Sequence, residues 1–400
     1  MKEQTLKFLS APFISLLVLA NFSCTSTSKK NLLKAQEVAV PTLEAIKIKA
    51  GPYIDQKVIL AKPLTSIGEN AEAYFSPEAK RIIYHSQRRP EHQQTQIYEL
   101  NLANMRERRV TFHDGDDADS VYTNDSNFIL YSSTTDEIKE EHEAISTVMK
   151  LYAPNLLKRK TQPNGLDFKP YELYLSKIDG SQIARMTKSA GYDAEASMNS
   201  KGNKIVFVST RNGSADLYLM PFQIGDWAKK LHGGSEDEPN RKGRHAPRDI
   251  ASASTPRIIR LTSDNNYDAN PIFVPQSDQI MWIKYAVDAK TSQIMLGDTL
   301  AKDPHALTTK AALYLTPYFN PTSKEFVFSS NRGDGLHFNL YTLDIQGLCL
   351  KRLTDNPFDE ILPAFSPDGK QILFTSNLSG KNQVYLIDYI SPHACLDEIP

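Results

Sequence analysis

The sequence predicts an all-β protein, a β-propeller with six blades. Three observations predict it: a hairpin signal that recurs six times, a third strand after most of the hairpins, and a short leucine-threonine phrase that ends most units. Four strands in a unit of about 46 residues are typical of a propeller blade. One such blade cannot bury both of its faces, so the blades must pack radially.

The clearest hairpin is LPAFSPDGKQILFTSN at residues 362–377, where Ser-Pro-Asp-Gly separates two apolar strands. Related stretches occur at 72–88, 119–134, 195–211, 270–285 and 316–332. Their aligned aromatic or Met positions are Phe75, Tyr122, Met198, Phe273, Phe319 and Phe365. Three of the five spacings are 46 or 47 residues and two are near 75, so two units carry about 29 extra residues.

The remaining strands of each unit also have sequence signals. Third strands are predicted from QIYELN (96–101), YELYLS (171–176), ADLYLM (215–220), NLYTLD (339–344) and QVYLID (383–388). Fourth strands end in RVT (109–111), RMT (185–187), RLT (260–262), ALT (306–308) and RLT (352–354). The sixth phrase, KVILAKPLT (57–65), precedes the first unit, so we predict that this N-terminal strand closes the ring against the last hairpin. Closure removes an exposed sheet edge.

Two insertions account for the longer units. In blade two, residues 136–165 begin with a segment whose apolar residues share one helical face, which predicts a helix on the propeller's side or rim, or a partner-binding element. In blade three, residues 224–256 are rich in charge, Gly, Pro and Ser, and Trp227 is expected to anchor their start. The two interpretations of this loop are a surface excursion and a basic contact patch formed by Arg241, Lys242, Arg244, His245 and Arg248.

The N-terminus has the pattern of an export signal. Lys2 and Lys7 precede the apolar run 8–20, and the sequence NFSC then ends in Cys24. This end resembles a bacterial lipobox, although Asn21 stands where Leu is usual, and the resemblance implies lipidation of Cys24. Cleaved secretion and an uncleaved anchor are the alternatives. The predicted organisation is a lipoprotein-type signal peptide (1–24), a tether (25–50), the propeller (51–392) and a C-terminal tail (393–400).

Two cysteines remain, Cys349 and Cys395. Because an exported protein enters an oxidising compartment, the pair is consistent with one disulfide that ties the tail to the body. Two unpaired buried thiols are the alternative.

Acidic residues recur just before each first strand. Five residues before the aligned aromatic positions stand Asn70, Asp117, Asp193, Asp268, Tyr314 and Glu360, and three before them stand Glu72, Asp119, Glu195, Asn270, Thr316 and Leu362. In a propeller the first strand is innermost, so these positions predict two rings near the mouth of the central channel. One interpretation is turn architecture, in which the carboxylates accept backbone N–H bonds. The other is a ligand site for a cation or basic peptide, with Glu72, Asp117, Asp119, Asp193, Glu195, Asp268, Asn270 and Glu360 as candidates.

The repeat resembles that of a known family. RLT (352–354), FDEILPAFSPDGKQILFTSN (358–377) and QVYLID (383–388) are similar to the blades of the TolB propeller family, which are periplasmic parts of the Tol–Pal envelope system. The resemblance covers about 57–390 and is specific for the fold rather than for function. The chain departs from TolB in two ways: it has little room for a separate N-terminal α/β domain, and it looks lipidated.

The resemblance implies a non-catalytic, monomeric protein that binds envelope proteins or extended peptides. In this family a disordered peptide enters the channel mouth and calcium can bind there, so the resemblance allows Ca²⁺, although this chain has no DxDxDG loop. No other cofactor is expected. The expected location is the periplasm, anchored to the outer membrane because Thr25 follows the lipidated Cys, with a soluble periplasmic protein as the alternative.

Other function classes receive less support from the sequence. The 46 basic and 47 acidic residues argue against nucleic-acid binding. The chain has no GxSxG, P-loop or GxGxxG motif. Because propeller active sites are assembled from scattered loops, a metal-dependent hydrolase or lyase at the channel mouth remains the alternative function, and a purely structural envelope component is a third.

Overall fold

The computed structural model describes residues 37–136, 169–189, 191–227, 257–300, 303–398 and 400. The predicted helix in blade two, the basic patch of blade three and Cys24 lie outside these residues. Within the described residues, no helix has the length and apolar character needed to cross a membrane.

The described strands form six antiparallel sheets of four or five strands, which confirms the predicted six-bladed propeller. The chain begins with β1 (Val38–Ala39), β2 (Ile46–Lys49) and β3 (Val58–Pro63). Blade one contains β4 (Glu69–Phe75), β5 (Arg81–Gln87), β6 (Gln96–Asn101) and β7 (Arg106–Arg109), and blade two contains β8 (Asp117–Tyr122), β9 (Phe128–Ser133), β10 (Glu172–Lys177) and β11 (Ala184–Arg185). Blade three contains β12 (Asp193–Met198), β13 (Lys204–Ser209), β14 (Asp216–Pro221) and β15 (Ile259–Arg260), and blade four contains β16 (Tyr267–Phe273), β17 (Gln279–Tyr285), β18 (Ser292–Asp298) and β19 (His305–Ala306). Blade five contains β20 (Tyr314–Phe319), β21 (Glu325–Ser330), β22 (Asn339–Asp344) and β23 (Lys351–Arg352), and the last unit adds β24 (Glu360–Phe365), β25 (Gln371–Ser376) and β26 (Gln383–Asp388).

The ring closes as predicted, through an N-terminal strand. Strand β3 pairs antiparallel with β26, with Lys62 opposite Leu386, and becomes the fourth strand of blade six. Ile59 and Ala61 on β3 are buried in the core of that blade. The closure therefore joins the first and last parts of the propeller by both backbone hydrogen bonds and apolar packing.

Two strands that the sequence analysis did not predict add a fifth, outer strand to two of the blades. Strand β2 pairs with β3 as a fifth strand of blade six, and β1 pairs with β7 as a fifth strand of blade one. Both lie within the range 25–50 that was predicted as a tether, so ordered structure begins before residue 51.

The apolar core lies between the blades. Six clusters of buried side chains are present among the described residues, and each one joins two neighbouring blades around the ring. Leu373 and Val384 of blade six pack with Tyr84 and Leu100 of blade one. Trp227, at the start of the blade-three insertion, is buried against the cluster between blades two and three. Radial packing therefore supplies the burial that a single blade cannot.

The Ser-Pro-Asp-Gly stretch is the turn of the first hairpin of blade six. The hydroxyl of Ser366 donates to Asp368 (2.6 Å) and accepts from the backbone N–H of Gln371 (2.9 Å). Gly369 has φ 69°, and a Cβ there would lie 2.3 Å from Oδ1 of Asn320 in blade five. Glycine is therefore required both by the backbone conformation and by the contact with the neighbouring blade.

Near the end of the chain, the structure pairs Cys349 with Cys395 in a disulfide, with the two Cα atoms 5.1 Å apart. The bond attaches the segment after β26 to the outer side of blade five, next to β23.

Candidate binding channel

Each innermost strand contains a β-bulge at the same place. In β4, Ala71 opposes His85 and Tyr74 opposes Ile83, so β4 has one residue more than β5 in this interval. The second residue of the repeat pair lies in the bulge and has a positive φ, between 46° and 56°, in all six blades: Glu72, Asp119, Glu195, Asn270, Thr316 and Leu362. Such a backbone costs on the order of 1–3 kcal/mol for a residue with a Cβ. A bulge bends the strand and redirects a side chain, which explains how two positions only two residues apart differ in environment.

The acidic residues at the first repeat position lie inside their blades. Asp117, Asp193, Asp268 and Glu360 are completely buried, and none of them lines a described cavity. Their partners include Nδ1 of His113 for Asp117 (3.1 Å), Nη2 of Arg211 for Asp193 (2.8 Å), Nε1 of Trp282 for Asp268 (2.9 Å), and the Thr354 hydroxyl and Nδ2 of Asn356 (3.0 Å) for Glu360. The expectation that this ring faces the channel mouth is therefore corrected: these carboxyls pair with side chains of the blades and do not line the cavity.

The acidic residues at the second position face the channel. Glu72, Asp119, Glu195 and Asn270 line one cavity of about 60 Å³, together with Thr316. These five residues come from blades one to five. Five of the six positions of the second ring therefore line one cavity, and we call Glu72, Asp119 and Glu195 the channel carboxyls.

The channel carboxyls link consecutive bulges around the ring. The carboxyl group of Glu72 accepts the backbone N–H of Asp119. Oδ2 of Asp119 lies 3.4 Å from the backbone N of Glu195, and Oε2 of Glu195 accepts the backbone N–H of Asn270 at 2.6 Å. Each acidic side chain thus receives a hydrogen bond from the next blade, which fixes its direction and helps to hold the strained bulges.

Tyrosine hydroxyls and one histidine surround the carboxyls. Tyr192 and Tyr267 donate to Oε1 of Glu195, at 2.6 and 3.2 Å. The ring of Tyr267 stacks on Tyr285 with centroids 5.1 Å apart, and Nδ1 of His85 lies 3.3 Å from Oε2 of Glu72. The wall of the channel is thus acidic and aromatic, a combination suited to a cation.

Burial and crowding raise the pKa values of the channel carboxyls. Burial raises the pKa of Glu72 and that of Glu195 to about 7, and repulsion between the carboxyls adds to the effect. The pKa of Asp119 is also raised, by burial and by the Glu72 charge, whereas burial lowers the pKa of His85. The channel therefore holds carboxyl groups that a ligand cation would ionise.

An aromatic contact crosses the channel below the carboxyls. Tyr74 of blade one and Tyr318 of blade five stack with centroids 5.8 Å apart, although blade six separates their blades in the ring. Beyond them, at the hairpin end, lies a second cavity of about 310 Å³ lined by the aligned aromatic positions and by prolines such as Pro77 and Pro321. The axis therefore has an acidic compartment and an apolar one.

The described residues contain no preformed metal site. Among the parts of the chain that the structure describes, no three His, Cys, Asp or Glu side chains are placed so that they could hold one metal ion.

Fold and channel together define a closed six-bladed propeller with an acidic axis. Residues 255–394 match the family model of the TolB beta propeller domain. Over these residues the chain is similar to TolB propeller domains, and its fold is that of a six-bladed β-propeller.

Solved structures share this fold at low sequence identity. TolB from Acinetobacter baumannii is 17% identical with a TM-score of 0.51, and the match covers 80% of this chain and 65% of that one. A putative TolB from Agrobacterium tumefaciens is 14% identical with a TM-score of 0.51, covering 87% and 98%. An oligogalacturonate lyase in complex with manganese is 12% identical with a TM-score of 0.50, covering 90% and 98%. This chain thus spans less than two thirds of the Acinetobacter protein, and proteins of more than one function have this fold.

Sequence reasoning missed the tyrosines of the channel. Tyr192 and Tyr267 each stand one residue before a predicted ring position, and this repetition was the available signal. The bulge could not be predicted from residue type, because a positive φ is usually marked by Gly or Asn, and Glu, Thr and Leu rarely adopt it.

Proposed function

We propose that this protein is a non-catalytic binding module of the bacterial cell envelope, whose channel receives a basic side chain of an extended partner peptide. The observation that carries the proposal is the convergence of Glu72, Asp119 and Glu195 on one cavity, with tyrosine hydroxyls beside them. A lysine or arginine side chain would neutralise these carboxyls and pack against the aromatic rings.

The sequence supports a location outside the cytoplasm. The apolar run 8–20 followed by Cys24 fits a lipoprotein signal, and a Cys349–Cys395 disulfide suits an oxidising compartment. We therefore propose a periplasmic protein that is anchored to the outer membrane through a lipid on Cys24, with Tol–Pal components among the partners to test.

The experiment is capture of partners from envelope membranes by the purified propeller after chemical crosslinking. The test variant is Glu72→Gln/Asp119→Asn/Glu195→Gln, which removes the three channel carboxyls. The control is Glu44→Gln/Asp55→Asn/Asp288→Asn, which removes three acidic groups from exposed positions.

We expect a partner that the wild type and the control capture and that the channel variant loses. Capture should weaken as salt rises, because the attraction is largely electrostatic. Equal capture by the channel variant would refute channel binding.

A metal-dependent lyase or hydrolase is the second candidate function. It is favoured by the likeness to the lyase that was solved with manganese. Metal analysis of the protein purified without chelator distinguishes the two candidates: a stoichiometric transition metal that depends on the channel carboxyls would favour the enzyme.

A further inference from the structure

The end of the chain is bound to blades four and five. The backbone N–H of Leu396 donates to the carbonyl of Leu350 at 2.7 Å, and the Leu396 side chain packs on the apolar cluster between these two blades. The carbonyl of Pro400 accepts the backbone N–H groups of Thr309 (2.7 Å) and Lys310 (3.1 Å). The contacts therefore combine an apolar anchor with backbone hydrogen bonds.

Glu398 adds an ionic contact between these two anchors. Its Oε2 lies 3.0 Å from Nζ of Lys310 and 3.4 Å from Nη2 of Arg332. The Arg332 side chain is 1% exposed, whereas Glu398 is about half exposed. The hydrogen bond from Lys310, with the nearby charges, lowers the pKa of Glu398, so it is ionised at neutral pH.

Comparison with blade three shows which position in the repeat Glu398 supplies. In blade three, Asp193 lies opposite Ser209 of β13 and pairs with Arg211, two residues after Ser209. In blade five, Tyr314 lies opposite Ser330, and Arg332 stands two residues after Ser330. Arg332 therefore corresponds to Arg211, and Tyr314 occupies the position that Asp193 has in blade three. Blade five therefore has the arginine without the acid of its own first strand, and Glu398 brings a carboxylate to that arginine.

The disulfide lies at the start of this contact. Cys349 and Cys395 directly precede Leu350 and Leu396, the two residues joined by the first hydrogen bond. The disulfide thus holds the tail beside blade five at a point three residues ahead of Glu398 and five ahead of Pro400 in the chain.

We propose that Leu396, Glu398 and Pro400 form a strap that completes blade five, that the Cys349–Cys395 disulfide fastens this strap, and that reduction of the disulfide releases it. The reductant is a dithiol. Its thiolate attacks one protein sulfur, the S–S bond breaks, and the second thiol resolves the mixed disulfide, so that the dithiol is oxidised and the protein gains two thiols. A reducing partner would thereby expose Arg332 and release Lys310 from its ion pair with Glu398.

The test is hydrogen exchange at the amides of Thr309 and Lys310 in the full chain, oxidised and after reduction with dithiothreitol. We expect reduction to accelerate exchange at both amides on the order of tenfold or more. The amide of Leu307, which donates to Ile294 within blade four, serves as the internal reference and should change little. A Cys349→Ser/Cys395→Ser variant should reproduce the reduced pattern without reductant.

The charge contact is tested in the oxidised protein. Glu398→Gln should accelerate exchange at Thr309 and Lys310 several-fold, whereas Asp397→Asn, a change at the exposed neighbouring acid, should not. Equal exchange before and after reduction would overturn the proposal, as would equal effects of the two variants. Acceleration at Leu307 as large as that at Thr309 would also overturn it, because the tail would then act on global stability.

Discussion

The channel carboxyls should make the stability of the propeller fall as pH rises. Burial and mutual repulsion raise the pKa of Glu72 from 4.5 to about 7, so the folded protein binds more protons than the unfolded chain between these values. The free energy of unfolding is therefore highest at low pH and declines as pH rises through this window. The same sign holds for Glu195 and Asp119.

The perturbation that isolates the effect is Glu72→Gln. One pKa unit corresponds to about 1.4 kcal/mol, so a shift from 4.5 to about 7 corresponds to about 3 kcal/mol of stability lost between pH 4.5 and pH 8. Glutamine keeps the size of the side chain and an acceptor for the N–H of Asp119. Removing the Glu72 charge also removes one of the causes that raise the pKa of Asp119. The variant should therefore gain about 3 kcal/mol relative to the wild type between pH 4.5 and pH 8.

The assay is urea unfolding at several pH values from 4.5 to 8, for the wild type, for Glu72→Gln and for Glu44→Gln. The Glu44 variant removes a carboxyl from an exposed position and should follow the wild type. The reasoning is refuted if Glu72→Gln and the wild type lose stability in parallel as pH rises.

Three further outcomes are expected from the fold. A variant that begins at residue 66 should lose cooperative thermal unfolding, whereas one that begins at residue 37 should melt like the full chain, because only the first lacks the strand that closes blade six. Thiol titration of the unfolded, unreduced protein should find Cys349 and Cys395 unreactive; two reactive thiols would exclude the bond. Asp193→Asn should destabilise the fold by about 2 kcal/mol in urea unfolding, since it breaks the ion pair between a buried carboxylate and the partly exposed Arg211, yet leave partner capture unchanged; lost capture without lost stability would show that Asp193 acts in the channel.

The sequence predicted the blades because each repeat contains local signals for its strands and turns. Alternating apolar residues and a turn such as Ser-Pro-Asp-Gly mark a hairpin locally, and the unpaired phrase at 57–65 predicts the closure. The third strand of blade four was missed because it lacks the tyrosine of the other five. Met295 stands there instead, opposite the larger Trp282, which fills the space. Strand β1 has two residues and is too short to give a periodic signal, whereas the alternation IKIK in β2 was an available signal.

The candidate site was only half predictable. Spacing placed Asp193 and Glu195 in two neighbouring rings, but a regular strand would send both side chains to the same face. The bulge between them separates their environments, so that Asp193 is bonded inside its blade and Glu195 lines the channel. A bulge at residues other than glycine depends on contacts between blades, such as the N–H of Asn270 on Glu195, which are distant in sequence.

Site-specific photo-crosslinking tests the central claim, that a partner enters the acidic channel, most directly. A photoreactive amino acid replaces Ser197, which lines both cavities, or Val287, which is exposed. The account predicts a crosslinked partner from position 197 and none from 287, with the first lost when Glu72, Asp119 and Glu195 are neutralised. Crosslinking from position 287 alone, or crosslinking from 197 that survives neutralisation, would contradict it.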